Sequence, residues 1–342
     1  MKELAGIKEF EKLIKASGVS GYEDEIRETI RSLISDLGDT KVDNIGNLIL
    51  EQPGSGPHIA VAAHMDEIGL VVSNIEDNGF LRVMKIGGVK DSLLPGRHVT
   101  IHTSKGPVNG VIGHKAPHLT TDQDKKDEIV PWTSTYVDVG ASSAEEVKDL
   151  GIDVPDSVTF MKTLRKLHGK CIAGRAMDNR IGCYALIQLA RRLKDSNLHL
   201  TLVWSVQEEM GLRGAKVVGN TIKPDHVIAL DTYTTSDSPG LKSFYKPIEL
   251  GKGPVLRMVD VRAISSPKMV KHFKKAAEDN DLLVQYGVTG GTTDGMALQE
   301  FGPLTIAIGV PVRYSHSTVE VAYWDDITGL VDLLEVGIKG LD

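Results

Sequence analysis

The stretch from Ile59 to Glu67, which reads Ile-Ala-Val-Ala-Ala-His-Met-Asp-Glu, joins a short apolar run directly to a histidine and two carboxylates. Apolar runs of this length predict buried strands. The same order, an apolar run and then residues able to bind a metal, recurs at three places farther along the chain: 200–206 before Glu208 and Glu209, 227–230 before Asp231, and 305–310 a few residues before His316. In an open parallel sheet, ligands and catalytic groups collect beyond the carboxyl ends of the strands. The four strands therefore predict a metal-binding pocket at one edge of a sheet.

The pattern around these strands divides the chain into two kinds of structure. Helical spacing of apolar residues near the N-terminus, and alternating strand and helix patterns from residue 174 onward, are typical of an α/β protein. Between them, short β-type runs separated by glycine indicate a small barrel or sandwich. We therefore expect an α/β fold in which a mixed-sheet α/β sandwich, formed by residues 1–67 and 164–342, is interrupted by a β domain at 68–163.

Composition and charge exclude several other classes of protein. Hydrophobic residues make up 41% and charged residues 25% of the chain, and the net charge of −7 offers no basic surface to nucleic acid or anionic lipid. No apolar stretch approaches the ~18 residues of a membrane span, and the first residues lack the apolar core of a signal peptide. Cys171 and Cys183 form no CxxC pair, which indicates thiols in a reducing compartment. We expect a cytoplasmic protein without nucleic-acid or membrane partners.

The candidate ligands form a set of two imidazoles and three carboxylates: His64, Asp178, Glu209, Asp231 and His316. This mixed nitrogen and oxygen set suits zinc or its neighbours better than calcium. Two ions ~3.5–4 Å apart could share one carboxylate and one water, as in two-metal hydrolases. Each ion would then have one histidine, one carboxylate of its own and the shared carboxylate, and the charges nearly balance.

Two further carboxylates have a place in this hypothesis. Glu208, beside the ligand Glu209, is the natural general base, which would take a proton from the bridging water and pass it to the leaving amine. Asp66, two residues after His64, could hydrogen-bond the ligand imidazole.

Each of these residues also has an ordinary interpretation when it is taken alone. Asp178 could be the N-cap of the helix that follows it, and Asp231 could be a turn residue or a cap. Glu208 and Glu209 could be two solvated carboxylates, and His316 alone indicates almost nothing. From composition and spacing, the metal site and these ordinary roles both stay open.

Five motifs of the chain narrow the choice when they are taken together: Ala62–Gly69, Met177–Arg180, Gln207–Ala215, Leu230–Asp231 and Arg313–Ser317. The set resembles the motifs of the M42 metallo-aminopeptidases, the TET-type peptidases of archaea and bacteria. The resemblance runs the length of the chain and includes the inserted domain.

The resemblance implies a role for each residue of the candidate site. His64, Asp178 and Asp231 would hold one ion, and Asp178, Glu209 and His316 would hold the other, with Asp178 bridging. Glu208 would be the general base, and Asp66 would orient His64. The family also implies a cis peptide bond between Asp178 and Asn179.

The resemblance implies an assembly as well. The inserted domain would be PDZ-like and mediate dimerisation, and the dimers would form a hollow tetrahedral dodecamer. The loop 117–131 resembles a segment that projects toward a neighbouring subunit's active site. The chain departs from the family in one glycine loop, where a common Gly-Thr-Asp-Ala reads Thr292-Thr293-Asp294-Gly295. That loop resembles part of the substrate pocket wall, so the departure concerns side-chain preference.

We therefore predict an aminopeptidase with two divalent metal ions per subunit, Zn²⁺ or Co²⁺, that removes N-terminal residues from peptides by metal-activated water. A dinuclear deacylase or carboxypeptidase on the same scaffold is the nearest alternative. A glycosidase with paired carboxylates and a non-catalytic scaffold with a vestigial site are more distant ones.

Overall fold

The structure, a computed structural model, describes residues 4–119, 129–240 and 247–341. Internal contacts divide the chain into two compact units. The first, which we call the sheet unit, consists of Met1–Asp66, Thr163–Ser315 and Val319–Asp342, and the second, the barrel unit, of Glu67–Lys162 and His316–Thr318. The domain boundaries at 67/68 and 163/164 stay a prediction, and most of the predicted loop 117–131 lies outside the described residues.

The helices are bounded as follows: α1 Ile7–Lys15, α2 Asp24–Leu33, α3 Ala144–Asp149, α4 Met177–Leu193, α5 Arg213–Thr221, α6 Pro267–Asp279, α7 Asp294–Gln299 and α8 Trp324–Lys339. The strands are β1 Thr40–Val42, β2 Leu48–Gln52, β3 Ser55–His64, β4 Gly69–Ile75, β5 Leu81–Ile86, β6 His98–Thr103, β7 Gly106–Ile112, β8 Tyr136–Asp138, β9 Ser157–Phe160, β10 Leu164–Lys166, β11 Cys171–Gly174, β12 Leu198–Ser205, β13 His226–Thr234, β14 Val255–Val259, β15 Gln285–Val288, β16 Leu304–Arg313 and β17 Glu320–Tyr323. Among the helices of the described residues, none combines the length and apolar character that crossing a bilayer needs.

The sheet unit is built on an 11-stranded mixed sheet whose centre is parallel. Strands β12, β3, β13 and β16 are neighbours in that order, and each adjacent pair runs parallel. Antiparallel strands extend the sheet on both sides. These four parallel strands are the four apolar runs of the sequence, so their carboxyl ends meet at one edge as predicted.

Helix α4 lies closest to the centre of the sheet and is buried on nearly all sides because it is apolar nearly all round. Gly182 permits this approach: a Cβ atom there would lie 2.9 Å from Cβ of Ala63 in β3 and 2.5 Å from Oδ1 of Asn179. The main core, which includes Phe10, Trp204 and Trp324, fills this side of the sheet. A smaller core of alanine, valine and leucine side chains packs α5 and α7 on other residues of the sheet.

The barrel unit is a closed barrel of six strands in the order β4-β5-β8-β7-β6-β9. Alternate residues of its strands point into a separate apolar core, which contains Leu70, Val72, Ile101 and Val158 among others. Side chains that alternate between the two faces are expected of β-strands, and the short runs separated by glycine predicted strands in this region. Strand β9 and helix α3 were not predicted.

One predicted strand is wrong in its position. The mainly apolar run Leu282–Tyr286 predicts a strand, but the strand there is β15, which begins only at Gln285. Asp281 adopts a left-handed φ of 52° directly after α6, and the amide of Leu282 donates back to the carbonyl of Ala277. Leu282, the first residue of the apolar run, therefore closes the end of α6 and does not belong to a strand.

Candidate metal centre

His64, Asp178 and Asp231 meet at the carboxyl edge of the parallel strands. His64 is the last residue of β3, Asp231 lies in the neighbouring β13, and Asp178 lies at the beginning of α4. The Nε2 atom of His64 is 3.4 Å from Oδ1 of Asp178 and 3.7 Å from Oδ1 of Asp231. All three side chains are buried.

Two sets of three potential ligands share one residue. His64, Asp178 and Asp231 form the first set, Asp178, Glu209 and His316 form the second, and within each set the ligand atoms lie within 4.8 Å of one another. Asp178 is thus the one residue that belongs to both. It does not cap α4: Asp178 and Asn179 have non-helical backbone angles, and the amide of Gly182 donates to the side chain of Asn179 instead. The Asp178–Asn179 peptide bond is cis, as the resemblance implied.

The charges of the first set fit a divalent cation. Burial raises the pKa of Asp231, and repulsion by Asp178 raises it further. Burial would lower the pKa of His64, but hydrogen bonding to Asp178 and the neighbouring carboxylates raises it well above its ordinary value. A divalent cation would relieve the repulsion between these buried carboxylates.

Asp66 contacts both His64 and the loop that carries Glu208 and Glu209. One carboxylate oxygen accepts from the amide of Glu208 at 3.0 Å, and the other accepts from the amide of Glu209 at 3.2 Å and from the hydroxyl of Ser20 at 2.6 Å. Nδ1 of His64 lies 3.4 Å from Asp66 Oδ1 and 3.3 Å from its carbonyl oxygen. Burial would raise the pKa of Asp66, but the interaction with His64 and these hydrogen bonds lower it. The ionised form of Asp66 is therefore favoured, and its carboxylate contacts both the imidazole of His64 and the loop after β12.

Glu208 is a partly buried carboxyl group on that loop. Burial raises its pKa well above the ordinary value, and the charges of Asp231 and Asp294 raise it further, while His64 acts in the opposite direction. The loop begins at Gln207 with a left-handed φ of 54°, and amides of the next turn donate to the carbonyl of Glu208. A buried carboxyl group whose pKa is raised is suited to acid–base chemistry.

Several polar residues of the site were missed in the sequence: Ser20, Glu23, Ser205, Ser315 and Glu320. Glu320 is fully buried, and its Oε2 accepts from the amides of Met177 at 2.7 Å and Asp178 at 3.3 Å. Burial, followed by repulsion from Asp178, raises the pKa of Glu320 to about 8. The sequence did contain a signal, because Glu320 stands between the apolar residues Val319 and Val321.

Glu23 also forms a hydrogen bond with the loop after β12. Its Oε1 accepts from the amides of Gly21 at 2.8 Å and Gln207 at 3.1 Å. Burial, followed by repulsion from Asp66, raises the pKa of Glu23 to about 7. Its place before α2 looks like an ordinary helix start, so the sequence gave no sign of this role.

The segment after β16 brings two residues to the second set. The hydroxyl of Ser315 donates to Oδ2 of Asp178 at 3.0 Å. Tyr314 and His316 both adopt a left-handed φ, of 64° and 59°, which turns the chain sharply here. Gly88 makes room for the imidazole of His316, since a Cβ atom on Gly88 would lie 2.5 Å from its Nδ1.

Comparison with known proteins gives a consistent result. The sequence pattern of the M42 glutamyl aminopeptidases matches residues 46–333. The chain is 37% identical to a lysyl aminopeptidase of Pyrococcus furiosus, covering 96% of each chain, and 32% identical to a glutamyl aminopeptidase of Lactococcus lactis, covering 96% of this chain and 95% of that one. The TET1 peptidase of Pyrococcus horikoshii, described as able to assemble into a tetrahedron or a large octahedral shell, is 41% identical with a TM-score of 0.92, over 98% of this chain and 100% of that one.

Proposed function

The chain belongs to the M42 glutamyl aminopeptidase family, and from that premise we propose that its candidate metal centre removes N-terminal residues from peptides with Glu208 as the general base. The chain is thus a hydrolase, a metal-dependent aminopeptidase. Family membership does not by itself assign a role to each residue of this chain, and those roles are our proposal.

We assign the ligands to two divalent cations. His64 and Asp231 would hold one, Glu209 and His316 would hold the other, and Asp178 would bridge them. The observation that supports this most directly is the membership of Asp178 in both sets of three. The hydrogen bond from Ser315 and the amides bonded to Glu320 fix the carboxylate and the backbone of Asp178 in place.

When bound, a pair of divalent cations supplies Lewis acidity toward the scissile carbonyl and makes a water molecule more acidic. Glu208 takes the proton from the attacking water and gives it to the nitrogen of the leaving amine. Its raised pKa is suited to both transfers, because the group must gain a proton and then lose it within one turnover. Asp66 keeps Glu208 and His64 at a fixed separation, since it bonds the backbone of one and the ring of the other.

A panel of aminoacyl chromogenic substrates tests the proposal. We expect hydrolysis of substrates with a free α-amino group, loss of hydrolysis with a chelator, and recovery when Zn²⁺ or Co²⁺ is restored. Release of residues from the carboxyl end of an N-terminally blocked peptide would instead favour the carboxypeptidase alternative. Hydrolysis that survives complete metal removal, on amide or sugar substrates, would contradict the metal mechanism.

Zinc and cobalt are both proposed because two imidazoles and three carboxylates suit either ion. The relatives are named for lysyl and for glutamyl residues, so the substrate panel needs basic, acidic and apolar N-terminal residues. Metal analysis of the protein as purified from its own cells would identify the ion.

We also propose that the chain forms a homo-oligomer, a tetrahedral dodecamer built from dimers through the PDZ-like barrel unit. Similarity to a dodecameric structure, 41% identical with a TM-score of 0.90, and to the TET1 peptidase supports this assembly. Location in the cytoplasm stays a prediction from the sequence.

A further inference from the structure

Asp294 is a buried carboxylate next to the metal centre that the proposed reaction does not use. It begins α7 and is only 3% exposed to solvent. Its Oδ2 accepts a short hydrogen bond from the hydroxyl of Ser205. Ser205 ends β12 and is the direct cross-strand neighbour of the ligand His64.

Within the described part of the chain, the other carboxylate oxygen of Asp294, Oδ1, is buried without a hydrogen bond that would offset the loss of contact with water. Among the residues that the structure describes, Oδ1 has no hydrogen-bond partner. A buried polar group without a partner is costly, and a buried charge is more so. If Asp294 served only to accept the hydrogen bond from Ser205, Oδ2 alone would be enough. The buried, unpaired Oδ1 would then have a cost and no purpose.

The charges that act on Asp294 are those of the metal centre. His64 stabilises its ionised form, and Asp66 and Asp231 oppose it. Burial raises the pKa of Asp294 to about 7 in the absence of a cation. Ser205 thus links Asp294 to the strand position beside His64, in a buried region where charges interact strongly.

We propose that Asp294 is a positioning residue of the metal centre that coordinates no ion and that strengthens the binding of the divalent cations through its negative charge. The cations in turn stabilise the carboxylate that is otherwise half-satisfied. This inference rests on the proposed metal centre. It gives the Thr292–Gly295 loop a role in metal retention in addition to the pocket wall that the resemblance implied.

Two variants separate charge from structure. Asp294→Asn removes the charge but keeps the shape and an oxygen that accepts from Ser205. Ser205→Ala removes the hydrogen bond but keeps the charge. Asp225→Asn is the matched control, because Asp225 is exposed and precedes β13 at the end away from Asp231, about 20 Å along the strand.

The measurement is Zn²⁺ affinity by competition with a fluorescent chelator, on full-length protein stripped of metal. We expect Asp294→Asn to bind Zn²⁺ about 10- to 100-fold more weakly than wild type, the range for groups that support ligands without coordinating. Ser205→Ala should lose much less affinity, and Asp225→Asn should match wild type. The absorption spectrum of bound Co²⁺ should keep its shape in Asp294→Asn, because the ligands are unchanged.

Equal affinity of Asp294→Asn and wild type would overturn the inference, as would an equal loss in Ser205→Ala and Asp294→Asn. If Asp294→Asn fails to fold, Asp294→Glu decides the question, because it keeps the charge and alters the bond to Ser205. Affinity near that of wild type then supports the charge role, and loss of affinity overturns it. Wild-type protein that binds no Zn²⁺ would count against the proposed function itself.

Discussion

At the scale of single residues, the metal centre depends on side chains that coordinate nothing. Asp66 bonds the backbone of Glu208 and Glu209 and lies beside the ring of His64. One carboxylate thereby contacts the proposed base, Glu208, and one proposed ligand of each ion, His64 and Glu209. Preorganisation of this kind removes the need to reorder the site during each turnover.

The role of Glu208 can be tested by replacing it with glutamine, which keeps its size but cannot take a proton. We expect turnover of an aminoacyl substrate to fall about 10²–10⁴-fold. Metal content should stay unchanged, because Glu208 belongs to neither ligand set. Steady-state kinetics with metal analysis of the same samples measure both.

The control for this variant is Glu28→Gln on α2, where the carboxylate is 61% exposed and its ion pair with Arg31 is long at 3.6 Å. It should behave as wild type. Full turnover by metal-loaded Glu208→Gln would show that another group takes the proton.

At the scale of elements, the position of the site follows from four parallel strands and the helix that crosses them. Strand β3 has β12 and β13 as neighbours, so the residues that end these strands are brought together by the register of the sheet. Helix α4 adds Asp178 from the side. Its distance from the sheet is set by small residues, Gly182 and Ala63, where the two elements touch.

Gly182→Ala tests this contact. The added Cβ would lie 2.5 Å from Asn179 Oδ1 and 2.9 Å from Ala63 Cβ, so α4 must move. We expect the variant to lose about 1–3 kcal/mol of unfolding free energy, as overpacked cores do. Denaturant unfolding of the metal-free protein measures the change.

The matched control is Gly329→Ala in α8, where the nearest atom to the added Cβ, Cδ of Pro254, is at an ordinary distance of 3.6 Å. This change should stabilise the protein by about 0.5–1 kcal/mol, because glycine costs that much inside a helix. A Gly182→Ala variant as stable as wild type would mean that the helix is free to shift.

A second prediction at this scale concerns the ion pair between Asp237, after β13, and Arg313 at the end of β16. The guanidinium donates to both carboxylate oxygens at 2.8 and 2.7 Å. Burial would raise the pKa of Asp237, but Arg313 and the amide of Leu250 lower it to about 2. Since the folded state prefers the ionised form, this stability is present above pH 4 and is lost as the pH falls toward 2.

Asp237→Asn should therefore lower the melting temperature at pH 6 by about 2–4 °C, for a pair that contributes about 1 kcal/mol. The difference from wild type should shrink below pH 4. Asp279→Asn, which removes an exposed pair with Lys275 on α6, should change the melting temperature little at any pH. A difference for Asp237→Asn that is constant from pH 6 to pH 3 would contradict the assignment.

What the sequence predicted, and what it did not, has a physical explanation at the level of elements. Strands β3, β12, β13 and β16 were predictable because they are buried on both faces, which requires continuous apolar runs. Strands β10, β11 and β17 were not, because they are short and antiparallel, and β10 is exposed. His64 and Glu209 were proposed as ligands because they follow apolar runs, whereas Glu23 and Asp294 contact Gln207 and Ser205, which lie far away in the chain.

At the scale of the whole molecule, the proposed assembly gives a simple prediction. We expect light scattering after size-exclusion chromatography to give about twelve times the 37.1 kDa of one chain, with a heavier species possible because the TET1 peptidase also forms a larger shell. A mass that stays at one or two chains over a wide range of protein concentration would rule out the dodecamer.

The interruption of the sheet unit has a consequence for synthesis on the ribosome. Within the described residues, β3 pairs only with β12 and β13, which begin at Leu198 and His226. At ordinary translation speeds, β3 emerges on the order of ten seconds before either partner exists. During that interval the barrel strands, which pair only among themselves, can close. The nascent chain thus carries a bare hydrophobic segment, and a chaperone that binds emerging chains would have its clearest target there.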